Sequence, residues 1–185
     1  MVQEQISDAK TRMHKAVDAL SHELSSIRTG RANAGLVEHL KVDYYGTPTP
    51  LQQLATIATP DAKLITITPF DRGALSAIEK AIQKSDLGLT PANDGSIVRL
   101  AIPPLTEERR KDLAKQVRAR VEDARVAVRN VRRDIHDHLR KIEHAKEISQ
   151  DDLKRAESEL QKITDEQIKE VDRQGHEKEQ EVLTV

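Results

Sequence analysis

Hydrophobic residues in the first part of the chain, about residues 2–28, recur with the spacing of a packed helix. One set returns every seven positions, and a second set follows it after three or four residues. The first set is Ile6, Met13, Leu20 and Ile27, and the second is Ala9, Ala16 or Val17, and Leu24. This pattern predicts a helix that buries one stripe. Thr29-Gly30 is expected to end it, with Gly30 as its C-terminal cap.

Residues 105–145 and about 150–183 show the same periodicity and predict two more long helices. Thr106 and Ser149 are suitable N-cap residues. The expected inward positions are Val117, Val121, Ala124, Val128, Val131, Ile135, His138 and Ile142 in the first of these helices, and Leu153, Ala156, Leu160, Ile163, Ile168 and Val171 in the second. The pattern places His138 on the apolar face, as a partly buried packing residue.

Residues 31–104 have a different composition, with all seven prolines and five of the seven glycines. Alternation at 40–44, β-branched residues at 64–68 and the segment 97–102 predict strands. A short helix is expected at about 72–84, with Leu75, Ile78 and Ile82 on one face, and Asn93-Asp94-Gly95 predicts a turn. This segment is therefore expected to form a small mixed α/β domain.

The fold class expected from these elements is α+β. The three long helices are too polar to be stable alone, so we predict a long antiparallel three-helix bundle formed by residues 1–30 and 105–185. The small domain, residues 31–104, is inserted into that bundle. Thr29, Gly30, Pro103 and Pro104 lie at its two junctions, where two adjacent chain segments make a candidate hinge.

Composition narrows the class of protein. The absence of cysteine excludes disulfides and thiol catalysis. There is no apolar run long enough for a membrane span, and the N-terminus lacks the pattern of a signal peptide, so a cytoplasmic protein is expected.

The net charge of −1 conceals an uneven distribution of charge along the chain. Residues 105–146 contain 13 basic and 8 acidic residues, whereas residues 147–185 contain 6 basic and 12 acidic ones.

Basic residues follow one face of the second long helix at steps of three, four and seven residues. They are Lys111, Lys115, Arg118, Arg125, Arg129 and Arg132. Such a stripe can follow a phosphate backbone by shape and charge. The stripe taken alone nevertheless favours the other interpretation, a solvated face paired with the acidic last helix. Arg129, Arg132 and Arg133 fit the second interpretation least, because they outnumber the nearby acids. Arg28 and Arg31 form another basic spot at the first junction.

The sequence offers little for catalysis. It has no phosphate loop, no dinucleotide-binding glycine pattern and no nucleophile elbow. His136 and His138 are two residues apart on a helix, which makes joint metal ligation unfavourable. We therefore expect a protein that is not an enzyme and that needs no cofactor or metal.

Five motifs resemble those of bacterial ribosome recycling factors in order and spacing, and the likeness extends over the whole chain. They are Arg28-Thr-Gly-Arg-Ala-Asn33, Asp43-Tyr-Tyr-Gly46, Ser85-Asp-Leu-Gly-Leu89 with Asn93-Asp-Gly95, Leu105-Thr-Glu-Glu-Arg-Arg-Lys111, and Val128-Arg-Asn-Val-Arg-Arg-Asp134. The chain departs from the family pattern at Asn33-Ala34, where the family often has Ser-Pro, and at His136 and His138.

The resemblance implies an L-shaped monomer of tRNA-like dimensions that binds large-subunit ribosomal RNA after translation termination. Together with elongation factor G, such a protein splits the post-termination complex. By position, the RNA-binding residues are Arg28, Arg31, Arg110, Arg129, Arg132 and Arg133, and the small domain is expected to swing about the hinge.

The sequence alone also allows a coiled-coil adaptor or chaperone-like protein-binding module. A hydrolase in the small domain is a third possibility, but no residue set supports it.

Overall fold

The computed structural model describes residues 1–184 and contains four helices and six strands in that range. In chain order they are α1 (Val2–Ser25), β1 (Lys41–Tyr44), β2 (Thr47–Pro50), β3 (Ala55–Asp61), β4 (Leu64–Pro69), α2 (Leu75–Lys84), β5 (Pro91–Asn93), β6 (Val98–Ala101), α3 (Glu107–His144) and α4 (Gln150–Leu183). Long helices and small sheets thus give the predicted α+β class.

The chain forms two compact units. The helical unit comprises Met1–Leu24 and Ala114–Gln180. The mixed unit comprises Ser25–Leu113 together with residues 181–184. The first turns of α3 are therefore grouped with the mixed unit, although α3 is one continuous helix.

Side-chain pairs give the helix directions within the helical unit. Arg12 and Glu23 of α1 pair with Asp134 and Arg120 of α3, respectively, so α1 and α3 run antiparallel. The same holds for α3 and α4, because Arg118 pairs with Glu179 and His136 with Glu157. The helical unit is thus a three-helix bundle in which each helix contributes one apolar stripe.

The buried residues of the bundle confirm most of the inward positions that were predicted for the three helices. In α1 the buried residues are Ile6, Ala9, Met13, Val17, Leu20 and Leu24. Val17, rather than Ala16, takes the position that the sequence left open. Thr106 Oγ1 accepts a hydrogen bond from the amide of Arg109 at 3.1 Å, and Ser149 Oγ accepts one from Asp152 at 3.0 Å. Both N-cap predictions are confirmed.

Two details of the helix predictions were wrong. First, α1 ends at Ser25, so Gly30, with a φ of 80°, lies beyond the helix and does not cap it. Second, His138 is exposed, and Leu139 is fully buried in its place. The regular alternation of three and four residues fails here because Leu139 lies four residues after Ile135, closer to the centre of the buried face.

Helices α3 and α4 approach closely at Gly175, which is buried in α4. A Cβ atom placed at this glycine would overlap Cγ2 of Val121 on α3. A branched side chain on one helix therefore fills the space that the missing side chain leaves on the other. The sequence pattern gave no sign that this glycine sets the helix spacing.

The mixed unit contains two antiparallel sheets. One is the hairpin β1-β2, and the other has the strand order β3-β4-β6-β5. Ile65 and Ile67 of β4 lie opposite Leu100 and Val98 of β6, and all four side chains are fully buried. Helix α2 adds Leu75, Ile78 and Ile82 to the same core, as predicted.

Three strands of this unit, β2, β3 and β5, were not predicted from the sequence. Each has a physical reason: β2 contains two prolines, β3 buries little beyond its first residues, and β5 is only three residues long. The predicted turn at Asn93-Asp94-Gly95 is present and joins β5 to β6. The Asp94 carboxylate accepts hydrogen bonds from the amides of Ser96 and Ile97 at 3.0 and 2.9 Å.

We expect Gly175→Ala to destabilise the protein. Overpacking costs about 1–3 kcal/mol, whereas alanine recovers at most about 1 kcal/mol of helix propensity, so a net loss of about 1–2 kcal/mol is expected. Urea unfolding of the single variants and of Gly175→Ala/Val121→Ala tests the cause. If the contact with Val121 is responsible, the double variant loses less than the sum of the two single losses. Simple additivity would contradict it.

The turn at Asp94 predicts a pH effect. Hydrogen bonds from the amides of Ser96 and Ile97, and from Arg99, hold the pKa of Asp94 far below its ordinary value. The ionised carboxylate therefore stabilises the fold above the ordinary pKa of about 4, and this contribution is lost as pH falls through the folded pKa. We expect Asp94→Asn to be less stable than the native protein at neutral pH. The difference should narrow in acid, and an unchanged difference in urea unfolding would contradict this.

Candidate nucleic-acid interface

Two arginines of the predicted stripe form ion pairs with acidic residues of the last helix, α4. The Nε atom of Arg118 donates to Glu179 at 3.0 Å, and that of Arg125 donates to Asp172 at 2.8 Å. Hydrogen bonds to Asp172 and Glu122 raise the pKa of Arg125 above its ordinary value. For these two residues, the interpretation as a face paired with α4 is correct.

A second group of arginines on α3 is differently placed, and we call Arg129, Arg132 and Arg133 the arginine cluster. Arg129 is exposed, and its Nη1 lies 3.8 Å from Glu122, a long separation for an ion pair. Arg132 is half-buried and Arg133 is exposed. Within residues 1–184, neither of these two has a side-chain hydrogen bond or an ion pair.

The acid nearest to the arginine cluster in sequence does not neutralise it. Asp134 accepts a hydrogen bond from Arg12 of α1 at 2.8 Å, and this contact raises the pKa of Arg12. The pair turns Asp134 toward α1, on the other side of α3. The arginine cluster therefore retains positive charge that the fold leaves available to an external anion.

Arg140, which was not predicted from the sequence, shares the outward face of α3. Its position is rotated by only about 20° from Arg129 and about 20° from Arg133, and it lies about 16 Å along the helix from Arg129. Arg140 is exposed and has no ion pair in the described part of the chain. It was overlooked because the predicted stripe, followed at steps of three, four and seven residues, ended at Arg132, and Arg140 lies eight residues further along the helix.

The remaining candidate residues, Arg28, Arg31 and Arg110, belong to the mixed unit. Arg31 is exposed. Arg28 and Arg110 are half-buried, and Arg28 Nη1 donates to the carbonyl of Leu87 at 3.3 Å. The Nε atoms of Arg28 and Arg110 are buried and have no hydrogen-bond partner among the described residues. A buried donor without a partner is costly, by about 1–3 kcal/mol, and it is therefore uncommon.

The candidate hinge residues also lie in the mixed unit, outside its helices and strands. Thr29 and Gly30 are buried, and Gly30 has a positive φ of 80°. Pro103 and Pro104 are exposed and precede the N-cap of α3.

Two other features, a metal site and a membrane-spanning helix, are not found among residues 1–184. Within residues 1–184, no group of three or more His, Cys, Asp or Glu residues is placed to hold a metal ion. None of the described helices is long and apolar enough to cross a membrane.

Sequence comparison connects this chain to one family. A family model described as ribosome recycling factor matches residues 20–183. The ribosome-recycling factor of Nitratidesulfovibrio vulgaris is 57% identical over 178 residues, which is 96% of each chain. That of Geobacillus kaustophilus is 56% identical over 185 residues and covers all of both chains.

Solved structures agree. A solution structure of a ribosome recycling factor matches with a TM-score of 0.80 at 42% identity, covering 100% of this chain and 98% of the other. A second match is the T. thermophilus ribosome recycling factor, described with E. coli elongation factor G bound to the E. coli post-termination complex. It has a TM-score of 0.72 at 49% identity and covers 99% of each chain.

Proposed function

The chain belongs to the ribosome recycling factor family, and on that premise we propose that it recycles ribosomes after translation termination. It binds the large ribosomal subunit through ribosomal RNA and acts with elongation factor G to split the post-termination complex. A relative of the same fold is described together with elongation factor G on such a complex, which supports both partners.

The arginine cluster is the observation that carries the RNA contact. Arg132 and Arg133 have no acidic partner among residues 1–184, and Asp134 is engaged by Arg12. Guanidinium groups bind phosphate oxygens with two parallel hydrogen bonds, and a long helix holds them at fixed spacing. Each phosphate neutralised releases condensed counterions, so this contact supplies affinity without base recognition.

Arg28, Arg31 and Arg110 form the second part of the proposed RNA surface. The buried Nε donors of Arg28 and Arg110 lack partners, which is unfavourable in the free protein. Because both Nε atoms are buried, an RNA phosphate would remove that penalty only if the two side chains moved outward on binding. Arg31 is exposed and can reach an anion without rearrangement.

We further propose that the protein has no catalytic activity and needs no cofactor. Ribosome recycling factors are translation factors, and the energy for splitting comes from GTP hydrolysis by elongation factor G. We also propose that the protein is cytoplasmic, because its proposed partner is the ribosome. The protein is proposed to act as a monomer.

The conformational part of the proposal concerns the inserted domain, residues 31–104. It rotates about Thr29-Gly30 and Pro103-Pro104 and transmits force from elongation factor G, while the bundle formed by residues 1–30 and 105–185 stays on the RNA. Two chain connections restrict the motion to few directions. Gly30 supports this proposal because it adopts a positive φ that other residues rarely occupy.

Arg132→Ala should weaken binding to large ribosomal subunits and lower the slope of log Kd against log salt concentration by about 0.7–0.9, the value for one phosphate contact. Arg118→Ala is the matched control, because it removes a guanidinium of the same helix that is already paired with Glu179. Co-sedimentation across a salt series measures both. Equal slopes for the two variants would contradict the proposed role of the arginine cluster.

Gly30→Ala tests the hinge, and Gly95→Ala is its control because Gly95 also has a positive φ, in a turn away from the hinge. Both changes strain the backbone, at a cost of about 1 kcal/mol. We expect only Gly30→Ala to slow subunit splitting, measured by light scattering with elongation factor G and GTP, while subunit binding is retained. Equal slowing by both variants would show that lost stability, not the hinge, is responsible.

A further inference from the structure

Main-chain groups on the outer edge of β1 have no hydrogen-bond partner among residues 1–184. The amide of Leu51 donates to the carbonyl of Leu40 at 2.9 Å, which fixes the phase of the β1-β2 ladder. Hydrogen-bonded pairs alternate with non-hydrogen-bonded pairs in an antiparallel ladder. Since Lys41 lies opposite Pro50 and Asp43 opposite Pro48, the amides and carbonyls of Lys41 and Asp43 point away from β2.

The two edges of this hairpin are not equivalent. On β2, the positions that point outward are Pro48 and Pro50, which have no N–H to donate. Prolines of this kind prevent the addition of another strand. On β1, the corresponding positions are Lys41 and Asp43, which retain both a donor and an acceptor. Only the β1 edge can therefore accept an extra strand.

A groove runs along this open edge, between β1 and α2. Its volume is about 730 Å³, within the range of ligand-binding clefts. The α2 side of the groove is formed largely by small residues, among them Ser76, Ala77 and Ala81. Small side chains let another backbone approach the helix, so the groove can hold an extended peptide.

The groove has an excess of basic side chains. Lys41, Lys80 and Lys84 line it together with a single acid, Asp43. None of these lysines forms an ion pair with another residue of the described range. A bound strand would point every second side chain to the same face, so that one alternate set, if acidic, would meet the lysines.

We propose that the groove between β1 and α2 binds an extended acidic segment of a partner protein, which joins β1 as an additional strand. Main-chain hydrogen bonds to Lys41 and Asp43 provide the affinity, and Lys41, Lys80 and Lys84 provide the preference for acidic side chains. This surface is separate from the arginine cluster and does not depend on it.

A peptide fits this groove better than RNA does. The donors and acceptors of the β1 edge repeat every second residue, about 6.8 Å apart, which is the repeat of another extended peptide. RNA would use the lysines but would leave the main-chain groups of Lys41 and Asp43 unpaired. The groove also has no aromatic side chain on which a base could stack.

Fluorescein-labelled peptides and the full-length protein test the proposal by fluorescence anisotropy. The probes are short peptides that alternate Glu with Val, Ser or Thr. Each is compared with versions N-methylated at one or the other set of alternate residues, and with a Lys-for-Glu version. Lys80→Gln/Lys84→Gln is the test variant, and Lys63→Gln is the control, since Lys63 is an exposed lysine outside the groove. A labelled oligouridine serves as the RNA probe.

We expect at least one acidic peptide to bind and the Lys-for-Glu version not to bind. Lys80→Gln/Lys84→Gln should weaken binding about fivefold, as for the loss of two exposed ion pairs. N-methylation of one of the two sets should abolish it. In the complex, amide hydrogen exchange at Lys41 and Asp43 should slow about tenfold or more.

Three results would overturn the proposal. The first is no binding by any peptide of the panel up to about 1 mM. The second is binding that is insensitive to both sets of N-methyl groups, since it would then not be strand addition. The third is that only oligouridine binds and slows amide hydrogen exchange at Lys41 and Asp43, which would make the groove an RNA site.

Discussion

The distribution of ion pairs around α3 determines which of its arginines can act outside the protein. Arg118 and Arg125 form ion pairs with acidic residues of α4, and Asp134 forms one with Arg12 of α1. Exposed pairs of this kind contribute at most about 1 kcal/mol to stability. Their larger effect is on charge. They neutralise two arginines of the stripe, and they hold the nearest acid, Asp134, away from the arginine cluster.

This selection requires a rigid bundle with a fixed helix register. The close approach at Gly175 and Val121 holds α3 against α4, which keeps the acids of α4 opposite their arginines. A shift of one helical turn, about 5.4 Å, would present different arginines to the same acids. The apolar core and the charge pattern are therefore linked, because packing decides which guanidinium groups stay unpaired.

Much of this fold follows from sequence periodicity, since long amphipathic helices give a strong signal over many turns. The exposed His138 shows the limit of that signal, because a regular seven-residue pattern drifts from the true helical repeat. The sheet edges were harder: β2 carries two prolines, and β5 is too short for any alternation. Ion pairing was beyond sequence alone, since Arg118 and Arg132 occupy similar positions on the helix and differ only in what α4 places opposite them.

A cryo-electron microscopy structure of the protein on the large ribosomal subunit tests the central claim most directly. We expect guanidinium nitrogens of Arg132 or Arg133 within about 3 Å of RNA phosphate oxygens. In the same complex, Arg118 and Arg125 should remain paired with Glu179 and Asp172. The account would be contradicted if the arginine cluster faced solvent, or if Arg118 and Arg125 left α4 to bind the RNA instead.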